Sequence, residues 1–552
     1  MTEFSRRRML GGAAAATGIV VANQSLSAVP AAALPAGVDA PAAATITPND
    51  PRYIDLVVGN NTRWVARPDY VRVVHSTQQV VDAVREAVRS HKRLSIHGGG
   101  HCYADFVFNP DVRVVLDMSE MNDVYFDTRR NAFVVEGGAT LLNVYDALYR
   151  GWGVTIPGGM CYSVGVGGHI SGGGYGLLSR RHGLTVDHLD AVEVVTVDSR
   201  GNARAVLATR DPADRNHDLW WAHTGGGGGN FGVVTKYFFR SPGATGTDPA
   251  KQLIQPPKEV LVCAIGLPWN ELDEASYVQL VRNYGAWHIA NSGPNSPYAD
   301  LCSFLMMNHR SNNFVGFLTV MDATVPNAER LLTDYLRTVA GGIGVQARPV
   351  TGPIGELGPM PDLFTPTRLP WLQSMRFLGT NNPILTNPTS RGAHKSAYLK
   401  ANFTEAQAAT MYQHLTRTDF QNPAAMAVLL SFGGKINSVP SAATAAAQRS
   451  SAFKGLFQSF WNDKADDAQH IAWVRAVYGE VFASTGGYPV PNDVTDGCYI
   501  NYPDMDINNP QINRSGVPWH ALYYKDNYPR LQRVKAAHDP LNVFRHSQSI
   551  SV

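Results

Sequence analysis

The stretch Pro157–Arg180 reads PGGMCYSVGVGGHISGGGYGLLSR, and it contains nine glycines with a cysteine, Cys161, near its start. Each glycine costs a helix about 1 kcal/mol relative to alanine, so this composition predicts a loop rather than a stable helix. Because glycine lacks a Cβ atom, the backbone N–H groups of such a loop can approach a flat or anionic ligand closely. The stretch therefore indicates a ligand held by backbone.

Two shorter runs of the same kind lie on either side of this stretch. The sequence HGGGHC covers His97–Cys102, and TGGGGGN covers Thr224–Asn230. Three glycine-rich loops in one part of the chain predict a single large cofactor that contacts all three of them.

Bulk properties bound the class of protein. A chain of 552 residues exceeds the usual size of one core, which favours at least two domains. A net charge of +2 gives no reason to expect nucleic acid or an anionic membrane as a partner. The five cysteines are widely spaced and form no CxxC pair, so we expect neither a disulfide framework nor a metal site. The odd number leaves at least one thiol free or otherwise bonded.

The N-terminus carries a targeting signal. Residues 5–10 read SRRRML, which matches the twin-arginine pattern, and a weakly apolar run follows from Leu10 to Ala22. Small residues at 31–33 offer a cleavage site, so we interpret 1–33 as a twin-arginine signal peptide. The protein is then exported already folded. The Ala/Pro-rich residues that follow predict a disordered linker, residues 34–64.

Beyond the linker the patterns predict an α+β protein with two domains. Residues 65–242 form the first domain around the glycine loops. Residues 243–495 repeat a strand–helix unit, which favours an antiparallel sheet with helices on one face. Its Pro-rich part, Gly344–Ala393, is interpreted as a lid facing the substrate. The segment 496–552, with a strand-like end at Asn542–Ile550, is expected to return to the first domain.

Taken together, four motifs identify a resemblance. HGGGHC, GGMCYSVGVGGHISGGGYG, LWWAHTGGGGGNFGVVT and YINYPD resemble the berberine-bridge-enzyme-like flavoprotein oxidases, which share the vanillyl-alcohol-oxidase FAD-binding fold. Within that family the chain is most similar to actinobacterial sugar oxidases of antibiotic tailoring. The resemblance covers nearly all of the chain after the linker. Each glycine run alone is a weak signal, but the set is specific.

The resemblance implies an FAD that is covalently attached twice. In the family, a histidine bonds the flavin 8α-methyl carbon and a cysteine bonds ring carbon C6. The matching residues are His101 and Cys161, whereas Cys102 is interpreted as structural. Backbone N–H groups are expected to hold the cofactor at Gly98, Gly99 and Gly100, with Gly167, Gly168, His169, Gly172 and Asn230 as weaker candidates. A structural role for His169 is equally compatible with the sequence.

Oxidation of an alcohol requires a base for the hydroxyl proton. Tyr502 matches the family's catalytic tyrosine, Tyr499 lies in the same segment, and Tyr175 matches an aromatic residue that lines the flavin site. A free tyrosine has a pKa of about 10, so its phenolate needs stabilisation by the flavin and neighbouring phenols. The chain departs from its nearest relatives at Phe432, where they carry tyrosine in a YGGK motif. We therefore predict one two-electron oxidation rather than two in succession.

The preferred hypothesis is an exported oxidase. It moves a hydride from an alcohol or hemiacetal of a sugar, free or on a natural product, to flavin N5, and O2 becomes H2O2. One alternative keeps the flavin but performs oxidative ring closure or oxidises a non-sugar alcohol. Another is a flavin-binding protein without turnover. A nicotinamide-dependent dehydrogenase is disfavoured because Gly165–Gly168 does not follow a clear strand and open a helix. The substrate and the oligomeric state stay open.

Overall fold

The structure is a computed structural model that describes residues 41–552. The predicted signal peptide, residues 1–33, lies outside the described residues, as do the first residues of the predicted linker. The described chain contains three β-sheets.

The first sheet supplies the strand that leads into the HGGGHC loop. Its strand order is β1-β2-β4-β3, in which β2, β4 and β3 run parallel and β1 pairs antiparallel at one edge. The four strands are β1 (Ala44–Ile46), β2 (Tyr70–Val73), β3 (Leu94–His97) and β4 (Val114–Asp117). Strand β1 belongs to the segment interpreted as a disordered linker, so that part of residues 34–64 is folded. Its Ile46 is buried in a small apolar cluster.

A second, wholly antiparallel sheet has the order β5-β6-β9-β7-β8. Its strands are β5 (Val124–Asp127), β6 (Ala132–Glu136), β7 (Leu189–Val197), β8 (Ala203–Thr209) and β9 (Val233–Phe239). The TGGGGGN run therefore ends just before β9, and Pro157–Arg180 lies in the connection that leads to β7.

The third sheet is antiparallel and has eight strands, in the order β13-β10-β12-β11-β16-β17-β15 with β14 beside β10. They are β10 (Glu259–Pro268), β11 (Leu301–Asn308), β12 (Phe314–Asp322), β13 (Arg348–Pro349), β14 (Thr367–Pro370), β15 (Arg391–Leu399), β16 (Ala425–Ser431) and β17 (Phe453–Trp461). The sequence patterns gave no prediction for β11. Its residues LCSFLMMN are buried on both faces, which removes the alternation that marks a half-exposed strand.

Helices cover these sheets. They are α1 (Thr77–Arg89), α2 (Leu141–Trp152), α3 (Val166–Ser171), α4 (Ser179–His182), α5 (His217–Ala222), α6 (Glu274–Ala290), α7 (Ala328–Val339), α8 (Trp371–Thr380), α9 (Glu405–Leu415), α10 (Asp467–Val481), α11 (Trp519–Tyr524) and α12 (Tyr528–His538). Helices α7, α9 and α10 pack against strands of the third sheet. The predicted α+β class, with an antiparallel sheet backed by helices, is confirmed. None of the helices in residues 41–552 has the length and apolar character needed to cross a membrane.

Two local predictions are wrong. The glycine-rich stretch contains the short helix α3, which side-chain hydrogen bonds stabilise. Ser171 Oγ, at the end of the helix, and Tyr237 Oη, on β9, both donate to the carbonyl of Gly167, at 2.8 and 2.9 Å. Gly165 is the N-cap of α3, so this segment does open a helix, although no strand directly precedes it. The tail at 542–550 is not a strand, and only Phe544 forms a bridge, with Leu94.

The C-terminal residues contact the glycine loops. Lys535 Nζ donates to the carbonyl of Asn230 at 2.7 Å, and the amide of Ile550 donates to Asn230 Oδ1 at 2.9 Å. These bonds hold the end of the chain beside the TGGGGGN run. The boundaries assigned to the domains, at 242 and 495, stay predictions.

Candidate active site

A cavity of about 370 Å³ lies between the glycine loops and the third sheet. One wall combines residues of the three glycine-rich loops with the C-terminal residues Phe544 and His546. The facing wall is apolar and comes from strands of the third sheet and from the Gly344–Ala393 segment; it includes Phe304, Met306, Leu357, Leu385, Val428, Leu430 and Leu456.

The loops that carry His101 and Cys161 touch through their backbones. A Cβ atom built on Gly99 would lie 2.3 Å from the amide nitrogen of Gly165, and one on Gly165 would lie 2.3 Å from the nitrogen of Gly99. No side chain fits between them, so glycine is required at both positions. By contrast, a Cβ on Gly168 would meet no protein atom within 4 Å. Since Gly168 lines the cavity, its backbone faces open space.

Twelve of the thirteen predicted site residues line this cavity. They are Gly98, Gly99, Gly100, His101, Cys161, Gly167, Gly168, His169, Asn230, Tyr175, Tyr499 and Tyr502. The exception is Gly172, which lies against Asn501: a Cβ there would be 2.0 Å from Asn501 Oδ1. Gly172 thus makes room for the segment that carries Tyr499 and Tyr502. Cys102, interpreted as structural, also reaches the cavity lining.

His101 and Cys161 both contribute to the cavity in their neutral forms. His101 Nε2 lies 2.8 Å from Ser163 Oγ and 3.0 Å from Asn60 Nδ2, and burial lowers the pKa of the imidazole to about 4. Burial raises the pKa of the Cys161 thiol to about 12. Ser163 lies two residues after Cys161, so the hydrogen bond to His101 joins the two loops a second time.

His169 ties the Cys161 loop to the tyrosine segment. Its Nε2 accepts a hydrogen bond from the amide of Gly159 at 3.1 Å, and its carbonyl accepts one from Asn501 Nδ2 at 2.9 Å. Burial lowers the pKa of His169 to about 4, which keeps the ring neutral and Nε2 available as an acceptor. Asn501 Nδ2 also donates to Tyr499 Oη at 3.0 Å. These contacts make His169 a positioning residue.

The three predicted tyrosines surround one buried lysine that the sequence analysis did not identify. Lys454, on β17, is 1% exposed, and its Nζ has no hydrogen-bond partner in the part of the chain that the structure describes. That atom lies 3.5 Å from the ring centre of Tyr175, 4.7 Å from that of Tyr499 and 5.3 Å from that of Tyr502. Such spacing is typical of cation–π contacts. No sequence signal predicts it, since lysine in a strand is almost always exposed.

Burial determines the protonation of this cluster. It raises the pKa of the Tyr502 phenol well above its usual range and lowers the pKa of Lys454 well below its own. Among the described residues, no hydrogen bond joins the phenols of Tyr175, Tyr499 and Tyr502, although such bonds were expected. Tyr175 Oη donates to the carbonyl of Ser431 instead. Lys454 is the group that can compensate a phenolate.

Phe432 lies behind the cluster and not in the cavity lining. Its side chain is fully buried, and its ring centre is 5.6 Å from that of Tyr175 and 5.1 Å from that of Tyr398. The residue therefore supports Tyr175 by packing. It brings no hydroxyl group to this side of the cluster.

A further polar group missed by the sequence analysis stands on the apolar wall. Glu356, in the Gly344–Ala393 segment, accepts hydrogen bonds from Gln458 Nε2 at 2.8 Å and from Asn382 Nδ2 at 3.2 Å. Burial raises the pKa of its carboxyl. His546 is a third such residue. It stacks on Phe106 with ring centres 3.9 Å apart, among the residues around Gly229.

Comparison with known proteins agrees with this arrangement. A family model described as an FAD binding domain matches residues 68–202, and one described as berberine and berberine like matches residues 498–551. Aclacinomycin-N/aclacinomycin-A oxidase of Streptomyces galilaeus is 47% identical, with 100% of this chain and 99% of the relative covered. Hexose oxidase of Chondrus crispus is 32% identical and covers 91% of this chain and 93% of its own.

Solved structures agree with the sequence relatives. The crystal structure of a glycopeptide hexose oxidase complexed with teicoplanin superposes with a TM-score of 0.86 at 44% identity, covering 93% of this chain and 100% of that one. The fold is thus the predicted FAD-binding fold of the vanillyl-alcohol-oxidase type. Given the match in sequence, fold and cavity, the chain belongs to the berberine-like family of FAD-linked oxidases.

Proposed function

We propose that this enzyme oxidises a CH–OH group of a sugar, either free or attached to a natural product. An alcohol and O2 become a carbonyl compound and H2O2, so that two electrons and two protons leave the sugar. Two of the relatives are named for hexose oxidation, which supports a sugar substrate. The name oxidase, which these relatives share, supports O2 as the acceptor.

The cluster of Tyr175, Tyr499 and Tyr502 around Lys454 is the observation that carries this proposal. Oxidation of an alcohol needs a group that accepts the hydroxyl proton beside the cofactor. We assign that role to Tyr502, and Tyr175 and Tyr499 complete the wall around Lys454. A positive charge on Lys454 lowers the cost of a phenolate in this buried site. Lys454 has no carboxylate partner among residues 41–552, so a charge on it is available to the phenols.

The residues of the cavity fit an FAD. At Gly168 the glycine backbone borders open space in the cavity. Such a backbone can bind a pyrophosphate, because successive N–H groups donate hydrogen bonds to an anion. An FAD held by these residues would supply the acceptor for the hydride of the substrate and would pass the two electrons on to O2. We propose that His101 and Cys161 each form a covalent bond to its ring, because both line the cavity on loops joined by direct backbone contact.

Acid denaturation tests the attachment. We expect His101→Ala and Cys161→Ala each to retain flavin after precipitation in acid, since one bond remains, whereas the double variant releases all of it. Complete release from either single variant would contradict the double attachment. Flavin absorbance of the native variants before precipitation serves as the loading control.

A single two-electron oxidation is the expected stoichiometry. Phe432 offers no hydroxyl group, and it lies in the packing behind Tyr175. Mass spectrometry of the product should therefore show the loss of two hydrogens and no further loss. A doubly oxidised product would contradict this expectation.

We also propose export through the twin-arginine route, directed by residues 1–33. The pattern SRRRML supports this proposal. Replacing Arg6 and Arg7 together by lysine should retain the oxidase inside the cell, whereas the unchanged chain reaches the medium. Equal secretion of both would exclude the route.

Peroxide release across a panel of substrates tests the function itself. The panel contains free hexoses, glycosylated polyketides, glycopeptides and non-sugar alcohols. We expect peroxide from sugars or glycosylated compounds and none from the non-sugar alcohols. Turnover of only the non-sugar compounds would favour the alternative, and failure of every compound to bleach the flavin without oxygen would indicate a protein without turnover.

A further inference from the structure

Glu356 is the only carboxylate among the described residues that line the cavity. It stands on the apolar wall, on the side of the cavity formed by the third sheet and the Gly344–Ala393 segment. The loops assigned to the cofactor form the opposite side. Glu356 therefore faces the space left for substrate.

The backbone around Glu356 holds the carboxylate in one place. The preceding residue, Gly355, has a φ of +59°, and a Cβ there would lie 2.3 Å from Met306 Sδ. Its amide donates to Asn308 Oδ1 at 2.7 Å. Ile354 and Leu357 pair across the same turn. The turn is thus anchored on β11, and Glu356 projects from a fixed support.

A chain of hydrogen bonds orients the side chain. His394 Nδ1 lies 3.4 Å from Gln458 Oε1, and Gln458 Nε2 donates to Glu356 Oε1 at 2.8 Å. Asn382 Nδ2 donates to Glu356 Oε2 at 3.2 Å. His394 in turn stacks on Tyr103 with ring centres 3.6 Å apart. Each carboxylate oxygen therefore has one protein donor. A carboxylate has about four acceptor positions, so further positions remain for a ligand.

Folding does not account for this arrangement. No lysine, arginine or histidine in residues 41–552 forms an ion pair with Glu356. The cavity wall around it is apolar, with Met306, Leu357 and Leu385 among its residues. An unpaired carboxylate in apolar surroundings is costly, and a hydrophobic residue there would cost less. Binding is the role that explains its presence.

We propose that Glu356 recognises the substrate by accepting hydrogen bonds from sugar hydroxyl groups other than the one that is oxidised. Two neighbouring hydroxyls of a pyranose match the two oxygens of an oriented carboxylate, while Gln458 and Asn382 hold it from behind. The substrate class is then a sugar with a free hydroxyl pair away from the reacting carbon. This inference rests on the proposed oxidation of a sugar and adds a determinant of specificity to it.

The test compares parent sugars with their monodeoxy derivatives. D-Glucose, D-galactose and the monodeoxy derivatives of each are assayed by initial rates of peroxide release, which give kcat/KM for each sugar. We expect the wild type to prefer a parent sugar over at least one of its deoxy derivatives by about 10- to 100-fold, because a hydrogen bond to a charged group is lost. The loss should appear mainly in KM.

Glu356→Leu should reduce that preference to within about twofold of unity, because the variant no longer distinguishes the missing hydroxyl. Glu356→Gln keeps the shape of the side chain and should reduce the preference in part. The matched control is Glu329→Gln, an exposed carboxylate paired with Arg368, for which the preference should not change. Flavin absorbance and unfolding temperature verify that each variant is folded and loaded.

The inference is wrong if folded Glu356→Leu keeps the wild-type preference for the parent sugar over its deoxy derivative. If the leucine variant does not fold, the same preference measured in Glu356→Gln decides, and an unchanged value again overturns the inference. Both outcomes leave the proposed oxidation of sugars intact. If the wild type oxidises neither these hexoses nor any glycosylated compound of the wider panel, the proposed function fails and the inference fails with it. The wild-type measurements alone reveal that case.

Discussion

Replacing Lys454 by methionine should reduce the activity of the enzyme and leave its free energy of unfolding unchanged or slightly higher. The Nζ atom is buried without a hydrogen-bond partner, which costs about 1–3 kcal/mol. Its contacts with the tyrosine rings return about 1–2 kcal/mol. Burial lowers the pKa of Lys454, so the burial cost exceeds the attraction. Methionine fills the same space without a polar atom. We expect an unchanged stability or a gain of about 1 kcal/mol.

The same substitution should reduce kcat by about 10²- to 10⁴-fold, the range associated with loss of assistance to a general base. The flavin should stay bound, because the contacts that join the glycine loops, between Gly99 and Gly165 and between His101 and Ser163, do not involve Lys454. The assay combines kcat from peroxide release with unfolding in urea, followed by flavin fluorescence. Near-normal kcat in Lys454→Met would refute the role of the lysine.

Lys395→Met is the matched control for the stability measurement. Lys395 is also buried, but its Nζ contacts Asp504 Oδ2 at 2.6 Å and Tyr488 Oη at 3.0 Å. Removing it leaves Asp504 buried without its partner, which should destabilise the protein by about 3–5 kcal/mol. If both variants lose stability equally, the argument that Lys454 is unpaired is wrong.

Three further predictions concern other parts of the site. Tyr502→Phe should lower kcat by about 10²- to 10⁴-fold while the flavin spectrum stays normal, as measured by peroxide release; unchanged turnover would remove Tyr502 from the mechanism. Gly99→Ala should destabilise the protein by at least about 1–3 kcal/mol and reduce flavin loading, because its Cβ would lie 2.3 Å from the nitrogen of Gly165. The matched control is Gly151→Ala, in α2, where a Cβ would meet no atom within 4 Å. Its free energy of unfolding in urea should instead rise by about 1 kcal/mol. The folded pKa of His169 is about 4 and its unfolded value is about 6.5, so the unfolded chain binds the extra proton between these values. The free energy of unfolding should therefore fall by roughly 3 kcal/mol because of this residue as the pH drops from 6.5 to 4. His169→Gln should remove that part of the pH dependence when unfolding in urea is measured. An unchanged pH dependence would contradict the buried neutral ring.

The glycine loops were predictable because runs of glycine are unusual in sequence, whereas the three tyrosines were identified from the resemblance to the flavoprotein family. A run such as Gly98–Gly100 has few purposes besides close approach of the backbone. The short helix α3 was not predictable from propensity, since its stability comes from tertiary contacts such as the bond from Tyr237 to the carbonyl of Gly167. Here packing overrides the cost of glycine in a helix.

Lys454 and Glu356 were missed for a different reason. Both are ordinary charged residues in sequence. Only the three-dimensional fold buries Lys454 without a hydrogen-bond partner among residues 41–552 and places Glu356, half-buried, in the cavity wall. Lys454 lies in FKGLFQSFW, a strand without a turn or motif at that point. Glu356 lies in a Pro-rich segment whose periodicity indicates little. The environment of such residues is set by neighbours that are distant along the chain, so their role cannot be predicted from the local sequence.

The two walls of the cavity come from separate stretches of the chain. The residues assigned to the cofactor come from positions 94–237 and from the tail, and the contact between Gly99 and Gly165 involves main-chain atoms alone. The residues facing them come from positions 304–458. Mutations in that middle portion can therefore reshape what is oxidised and leave the grip on the flavin untouched. Substrate preference can therefore change through substitutions confined to one continuous block of the sequence.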